Sequence, residues 1–177
     1  MPIDNFLGPL TSFNFYITLF PSGAAGSDAA AIAMAAAGTV LGGFTECTGL
    51  DSEVAITDVT AGGINDRVFR FPGRASYSSI TLKQGVAFSE DLYIWHESFV
   101  AGQGARRDGL IFLANETRLP IKIWRFERGI PKKWSGPSLD AGTSGIAMES
   151  LEIAHEKLTL VFSPGQAVAQ QADKLGI

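Results

Sequence analysis

The sequence SYSSITLKQG, at residues 76–85, carries the pattern that decides the fold. Ile80 and Leu82 fall on one face when the chain is read with a period of two. Apolar side chains at alternate positions indicate a β-strand with one buried face. We therefore predict a strand at residues 76–85 and read the chain outward from it.

The chain before this segment contains four more strand-like stretches. Pro72 and Gly73 form a strong turn pair, which predicts a break between the last of them and residues 76–85. Gly62 and Gly63 lie in a glycine-rich loop at residues 60–66. The four stretches are residues 11–20, 43–50, 52–59 and 67–71.

Residues 23–43 are dominated by alanine and glycine. They are consistent with a mobile loop or with a short helix at about residues 28–37. In the helical alternative Asp28 is the N-cap and Gly38 ends the helix. An insertion of this kind between two strands is expected on the surface.

The clearest helical pattern begins at Ser89 and ends at Gly102, with acidic residues in its first turn. Serine is a favourable N-cap, acids suit the helix N-terminus, and glycine is a common stop. One face carries an apolar stripe with helical spacing. The stripe consists of Leu92, Trp95 and Phe99. We expect this helix to cover a sheet.

Strand patterns return after the helix, at residues 108–114 and 120–127. Residues 129–139 contain two prolines and are predicted to be irregular or an edge strand. Residues 143–162 carry a long β pattern whose apolar parity changes twice, which indicates a bulge, a bend or a strand break. Residues 163–177 form a polar tail, predicted as a short helix or a frayed end.

The chain thus contains about eight short strands and one clear helix, which predicts a mainly β sandwich or barrel with one covering α-helix. Its 177 residues suit a single domain. Only 18% of the residues are charged, below the usual quarter. A low share of charge suits a protein that hides surface against copies of itself.

Charge and cysteine content exclude several classes of function. The formal net charge is −4, and no basic run reaches the length of a nucleic-acid patch. The basic pairs at residues 106–107 and 132–133 are interpreted as solvated loop charge. Cys47 is the single cysteine, so an intrachain disulfide and a cysteine-cluster metal site are excluded. The usage fits a reducing compartment.

No catalytic pattern emerges from the remaining residues. Walker-type and Gly-x-Ser-x-Gly motifs are absent from the sequence. Cys47 is expected to be a small buried side chain, and His96 to flank a helix at a packing boundary. His155 lies near Glu152, but strand alternation places the two on opposite faces, so an exposed charged face is favoured over a metal site. We predict no catalytic residue, no metal and no cofactor.

The ends of the chain do not indicate export through the general secretory route. The N-terminus lacks a basic region followed by an apolar core, so a signal peptide is not expected. Residues 29–43 are too short and too weakly apolar to span a bilayer. We predict no direct membrane anchor.

The order of motifs from residue 47 to residue 86 resembles the phage tail-tube family. That family includes tail-tube subunits of contractile phages and of extracellular contractile injection systems. The opening strand and the helix fit the same order, and the resemblance covers about residues 11–163. The motifs are Gly49-Leu50, Glu53-Val54, Gly62-Gly63, Pro72-Gly73 and the run from Ile80 to Gly85.

The resemblance implies hexameric rings that stack into an inner tube, which a contracting sheath drives through an envelope. The hairpin at residues 53–74 would reach neighbouring subunits and the next ring. Its predicted contact residues are Glu53, Gly62, Gly63, Arg67, Arg70, Pro72, Gly73 and Arg74. The implied partners are other copies, a sheath protein, baseplate and tube-terminating proteins, and cargo effector or DNA in the lumen. Assembly is expected in the bacterial cytoplasm.

Two other interpretations remain open at this stage. A tube-initiating or baseplate-end paralogue would share the fold, and the insertion at residues 23–43 is longer than expected for the main tube. A monomeric β-sandwich binding module or hydrolase would need a concave site with convergent polar groups. The sequence reveals no such site.

Overall fold

The computed structural model describes residues 14–37, 40–41, 44–60, 62–63, 66–86, 90–115, 120–140, 142 and 144–163. These residues form ten strands and two helices, so the predicted mainly β class is confirmed. The strands are β1 (Phe15–Pro21), β2 (Val40–Leu41), β3 (Glu46–Thr48), β4 (Ser52–Val59), β5 (Phe69–Tyr77), β6 (Ile80–Gly85), β7 (Arg107–Ala114), β8 (Pro120–Ser135), β9 (Met148–Ala154) and β10 (Lys157–Phe162). The helices are α1 (Asp28–Ala37) and α2 (Asp91–Val100).

Eight strands form one antiparallel sheet in the order β2-β1-β7-β8-β9-β6-β3, with β10 paired to β8. Among the described strands, β4 and β5 pair only with each other and form a separate two-stranded ribbon. Side chains from β1, β6, β7, β8 and β9 meet in one core cluster, so the two ends of the sheet order fold over a shared interior. This is the layered arrangement that alternating strands predict.

The helix α2 closes the core as its apolar stripe predicts. Leu92 and Trp95 are buried, and Phe99 packs against them. The indole Nε1–H of Trp95 donates a 2.9 Å hydrogen bond to the carbonyl of Ala105, which satisfies the buried polar atom of the ring. Gly102 follows the helix with φ 75°, so the predicted stop is confirmed. The predicted cap at residue 89 lies outside the described residues.

The strand β8 favours one of the two alternatives for residues 129–139, because residues 130–135 pair with β9 alone among the described strands, as an edge strand does. Instead of becoming irregular, the strand runs for 16 residues to Ser135. Its first part pairs with β7 and β10, and its last residues pair with β9. Arg128 has φ 56° where the strand passes from one set of partners to the other, and Pro131 adjoins a register shift. Proline is tolerated there because an irregular ladder does not require its missing N–H.

The long β pattern at residues 143–162 consists of two strands, as one of the three explanations for its parity changes predicts. The strand β9 ends at Ala154, and β10 begins at Lys157 and turns back along β8. The other change lies between Met148 and Leu151, where the pairing of β9 with β6 is regular. Ile146 and Met148 are exposed there, whereas Leu151 and Ile153 are buried, so the first two apolar residues do not belong to the core face. The predicted tail lies outside the described residues from residue 164 onward.

Another correction concerns Pro72 and Gly73, which do not end a strand. They lie inside β5, where the pairing with β4 shifts register between Val54 and Ile56. A β-bulge of this kind accommodates an extra residue and bends the strand. A Cβ on Gly73 would lie 3.1 Å from the carbonyl oxygen of Ala55, so glycine suits the close approach of the two backbones.

The alanine-rich insertion contains the helix that the sequence left open. Its cap is Ser27 and not Asp28, because the Ser27 hydroxyl accepts the 3.2 Å hydrogen bond from the N–H of Ala30. Asp28 is the first residue of α1 and instead binds Arg125 of β8. The predicted stop at Gly38 lies outside the described residues.

Candidate subunit interface

The β4–β5 ribbon is the most exposed element of the described chain. Every residue of β4 is exposed, and so is every residue of β5 except Tyr77 at its base. The ribbon leaves the sheet after β3 and returns to it at β6, so both of its ends are fixed while its length faces solvent. A two-stranded hairpin alone is marginally stable in water, and a face this exposed lacks the packing that would stabilise it.

One side of the ribbon, which we name the aromatic face, consists of Val59, Phe69 and Phe71. The pairing of Val59 with Phe69, together with the two-residue spacing of the phenylalanines, places the three on one side. Their exposed fractions are 45%, 38% and 54%. Clustered apolar exposure on a soluble protein marks a surface for contact with another molecule.

The opposite side of the ribbon is mixed. Ile56 is 58% exposed there, and Arg70 Nε lies 3.5 Å from the Asp58 carboxylate. Both charged side chains are more than half exposed, so water screens their attraction and the pair adds at most about 1 kcal/mol. This ion pair orients the two strands but does not replace a packing partner.

Two glycines with positive φ lie at opposite ends of the ribbon. Gly49, at the base, has φ 87°, and a Cβ there would lie 2.0 Å from the carbonyl oxygen of Ser79. Gly63, at the tip, also has φ 87°, but no atom of the described residues lies within 4 Å of its Cβ position. The base is therefore fixed by close backbone packing, whereas the tip has free space around it.

The structure brings all eight predicted contact residues onto the ribbon or the turn that joins its strands, and each is exposed. Their role in contact with other subunits stays a prediction. The sequence interpretation missed the aromatic face itself. The signal available was the alternation of Phe69 and Phe71 in residues 67–71, but a period-two pattern does not distinguish a core face from a face that awaits a partner.

A concave site with charged groups lies elsewhere, between residues 21–26, which precede α1, and residues 105–108 and 125–128 at β7 and β8. This cavity has a volume of about 690 Å³ and includes Arg106, Asp108, Arg125 and Arg128 in its lining. Arg125 is bound to Asp28 and Asp108, while Arg106 and Arg128 both bind Glu156. The charged groups neutralise one another, so the cavity contains structural ion pairs.

Asp108 lies at the centre of these contacts. Burial would raise the pKa of its carboxyl, but hydrogen bonds from the Arg128 N–H, the Ser22 hydroxyl, Gly23 and Arg125 lower it below its usual range. The carboxylate is 2.9 Å from the Arg128 nitrogen and 2.7 Å from the Ser22 oxygen. These bonds hold it ionised and fully engaged within the protein.

Among the described residues, the predicted reactive candidates have separate structural contacts. Cys47 is partly buried, and burial raises the pKa of its thiol to about 11, which suppresses the nucleophilic thiolate. His155 does not lie on an exposed charged face as expected; its ring is half-buried against Tyr77 and Phe126, at centroid distances of 5.7 and 6.0 Å. Glu152 binds Lys132 at 2.5 Å.

Across the described ranges, no three His, Cys, Asp or Glu side chains are grouped so as to hold a metal ion. Neither described helix has the length and apolar character needed to cross a membrane.

The protein is a β-rich protein in which an antiparallel sheet is covered by one helix. Its main surface feature, the exposed apolar ribbon, is suited to contact with other polypeptide chains. Residues 11–159 match the family described as T4-like virus tail tube protein gp19, and the chain belongs to that family. It is a tail-tube protein.

Solved structures share the fold at low sequence identity. A chain of the anti-feeding prophage baseplate, 6-fold symmetrised, aligns at TM-score 0.73 and 19% identity, covering 88% of this chain and 97% of that one. A chain of the sheath-tube complex of an extracellular contractile injection system, in the extended state, aligns at TM-score 0.69 and 21% identity. The alignment covers 89% of this chain and 93% of that one. A chain of the anti-feeding prophage tube-terminating cap aligns at TM-score 0.71 and 22% identity. The alignment covers 90% of this chain and 98% of that one. No curated protein sequence matches the chain.

Proposed function

We propose that this chain forms hexameric rings that stack into the inner tube of a contractile phage tail or a phage-tail-like injection particle, and that it acts as a structural subunit without catalysis. The observation that carries the proposal is the exposed ribbon with its aromatic face. Burial of apolar surface stabilises by about 25 cal/mol per Å², so packing this face against a second copy would offset the cost of displaying it.

The open edges of the sheet support the same function. The strands β2 and β3 stand at the two ends of the sheet order, each with one described neighbour. Unpaired strand edges invite pairing with another chain, and ring closure satisfies them. The Val54 and Ile56 side chains add apolar surface to the other side of the ribbon, which suits an element enclosed by more than one neighbour.

The proposed partners beyond other copies are a sheath protein on the outer wall, baseplate proteins and a tube-terminating cap at the ends, and cargo effector or DNA in the lumen. The printed descriptions of the structures that share the fold name a sheath-tube complex, a baseplate and a cap. We propose assembly in the bacterial cytoplasm.

Negative-stain microscopy and analytical ultracentrifugation of the purified chain test this function. We expect rings with six-fold symmetry, and stacked rings or tubes as concentration rises or when the sheath partner is present. A protein that remains monomeric at high concentration, with and without the sheath protein, would refute the proposal.

A baseplate-end paralogue is the second candidate. The structural similarity to a chain of a baseplate structure, at TM-score 0.73, supports this second candidate. Such a subunit would form rings that stack on one face only, and averaged images of ring pairs would distinguish it from a subunit of the main tube.

A further inference from the structure

An apolar pocket opens in the seam where the two ends of the sheet come together. We name it the seam pocket; it lies between β3 and the strands β1, β7 and β8 and has a volume of about 290 Å³. One water molecule takes about 30 Å³ in the liquid, so this space accommodates side chains. Most of its lining is apolar, and the residues that matter for the argument are Phe15, Cys47, Leu50, Leu113 and Trp124.

The chain therefore carries an exposed apolar projection and an exposed apolar recess. Phe71 projects from the ribbon with 54% of its surface exposed, whereas the seam pocket is lined by the partly buried side chains of Phe15, Leu50 and Trp124. Filling the recess with an aromatic ring would remove both apolar surfaces from water at once.

The ribbon of one copy is placed too far away to fill the pocket of the same copy. Leu50 lines the pocket and stands two residues before β4, whereas Phe71 pairs with Thr57, seven residues after Leu50. A strand advances about 3.3 Å per residue, which puts Phe71 about 20 Å from the pocket. The aromatic face therefore reaches a seam pocket only on a second copy.

Contact between two different surfaces of the same chain has a defined geometric result. Such heterologous contacts build closed rings when the rotation closes and helical stacks when it does not. A projection and a recess on one chain build a ring or a tube when the contact runs in one direction from copy to copy, and a two-fold dimer when two copies exchange it. The tube function requires the first arrangement.

The charges near the two surfaces are compatible with this contact. Arg67 lies beside the aromatic face, with its guanidinium carbon 5.8 Å from the centre of the Phe69 ring. Glu46 stands at the rim of the seam pocket and is bound to Lys83 at 2.8 Å. A carboxylate accepts several hydrogen bonds, so Glu46 retains capacity for an incoming guanidinium.

We propose that the aromatic face of one copy docks on a neighbouring copy and inserts Phe71 into its seam pocket. This inference rests on the proposed tube function and assigns the surface that receives the ribbon. It also gives the single cysteine of the chain a position inside a contact between copies.

A disulfide cross-link tests the docking directly. The variant F71C has two cysteines, the new one and Cys47 in the pocket. Assembled particles of F71C, oxidised mildly and run without reductant, should give dimers and longer ladders that collapse to monomer on reduction. Peptide mapping should identify a linkage between Cys47 and the introduced cysteine, since disulfides form only when the two Cα atoms come within about 7 Å.

Two matched variants serve as controls. I56C places the thiol on the opposite face of the ribbon, and L139C places it at a side chain that is 84% exposed outside the ribbon. Neither should link to Cys47. Particles of F71C that assemble normally but give no Cys47 linkage, or that link the introduced cysteines of two copies to each other, would overturn the docking while leaving the tube function intact.

A second measurement covers the case in which F71C does not assemble. The alkylation rate of Cys47 in wild-type particles should be at least tenfold lower than in the F71D variant, because the inserted ring shields the thiol. Equal rates in wild-type particles and F71D would overturn the proposal. If both rates are slow, another segment of the same chain fills the pocket; if both are fast, the pocket stays open in the particles. If the wild-type chain forms no particles at all, the tube function itself fails.

Discussion

The guanidinium of Arg125 in β8 donates a 2.9 Å hydrogen bond to the carboxylate of Asp28, 97 residues earlier in the chain. The same side chain donates to the carbonyl of Ala25 and lies 3.5 Å from the Asp108 carboxylate. Arg125 thus joins the start of α1 to the main sheet. The insertion is held on the sheet by a buried cation and not only by its small alanine side chains.

Replacing Arg125 with methionine should lower the free energy of unfolding by about 3 kcal/mol, because it leaves the buried Asp108 carboxylate without its cation. The loss falls at the low end of the range for broken buried pairs, since Ser22 and the Arg128 N–H still bind Asp108. Urea unfolding of dissociated protein measures it. D28N is the matched control and should cost no more than about 1 kcal/mol, because the Asp28 side chain is 55% exposed. Equal losses would contradict this account.

Substitutions of Gly63 and Gly49, at the two ends of the ribbon, should affect different properties, namely ring stacking and monomer stability. G63V strains the turn, because a β-branched residue disfavours φ 87°, but the strain is confined to the exposed tip and the monomer should stay folded. Ring stacking should be impaired if the tip contacts a neighbour. G49A should destabilise the monomer itself, since its methyl group would overlap the Ser79 carbonyl. Circular dichroism melting and negative-stain microscopy separate the two effects. Normal tubes from G63V would place the tip outside the stacking contact.

The period-two and helical patterns predicted most elements because those patterns depend on local geometry. The β4 bounds match residues 52–59, and α2 carries the predicted stripe. Proline caused one error and left one alternative open. Pro72 was interpreted as part of a turn, and Pro131 as part of an irregular segment or an edge strand; both lie in strands where the ladder shifts register. Sequence alone does not reveal whether a partner strand requires the missing N–H.

The family resemblance predicted where the candidate interface lies but not its apolar residues. It implied contacts at the hairpin, mainly through charged residues and glycines. The exposure of Phe69 and Phe71 could not be read from the sequence, because burial depends on what packs against a strand. The link between Arg125 and Asp28 was equally inaccessible, since no local pattern connects residues that far apart.

Trp95 should contribute more to stability than any other side chain of α2. It is 2% exposed, its indole nitrogen is bonded to Ala105, and the Arg107 guanidinium lies 5.1 Å from the centre of its ring. W95A should cost about 3 to 5 kcal/mol through the cavity it leaves. W95F keeps most of the apolar volume and should cost about 1 to 2 kcal/mol, chiefly the lost hydrogen bond. Chemical denaturation measures both losses, and equal values would show that the hydrogen bond outweighs packing.

His155 should make the protein less stable as the pH falls below about 6.5. Burial lowers the pKa of its imidazole, and the nearby backbone of Ser78 and Lys157 offsets this only in part. Among the described residues, neither ring nitrogen has a hydrogen-bond partner within bonding geometry. The unfolded chain, with a histidine pKa near 6.5, therefore takes up a proton before the folded chain does. The stability that neutral His155 contributes is complete above pH 6.5 and is lost as the pH falls towards the lower pKa of the folded protein.

The lowered carboxyl pKa of Asp108 also reduces stability as the pH falls, but only below its ordinary pKa of about 3.9. Between pH 5.5 and pH 7, the effect of His155 is therefore measured without that of Asp108. Melting temperatures of dissociated wild-type protein should fall between pH 7 and pH 5.5, and H155Q should show a smaller fall. H96Q removes the other histidine of the chain and is the matched control. If H155Q keeps the full pH dependence, protonation of His155 is not its source.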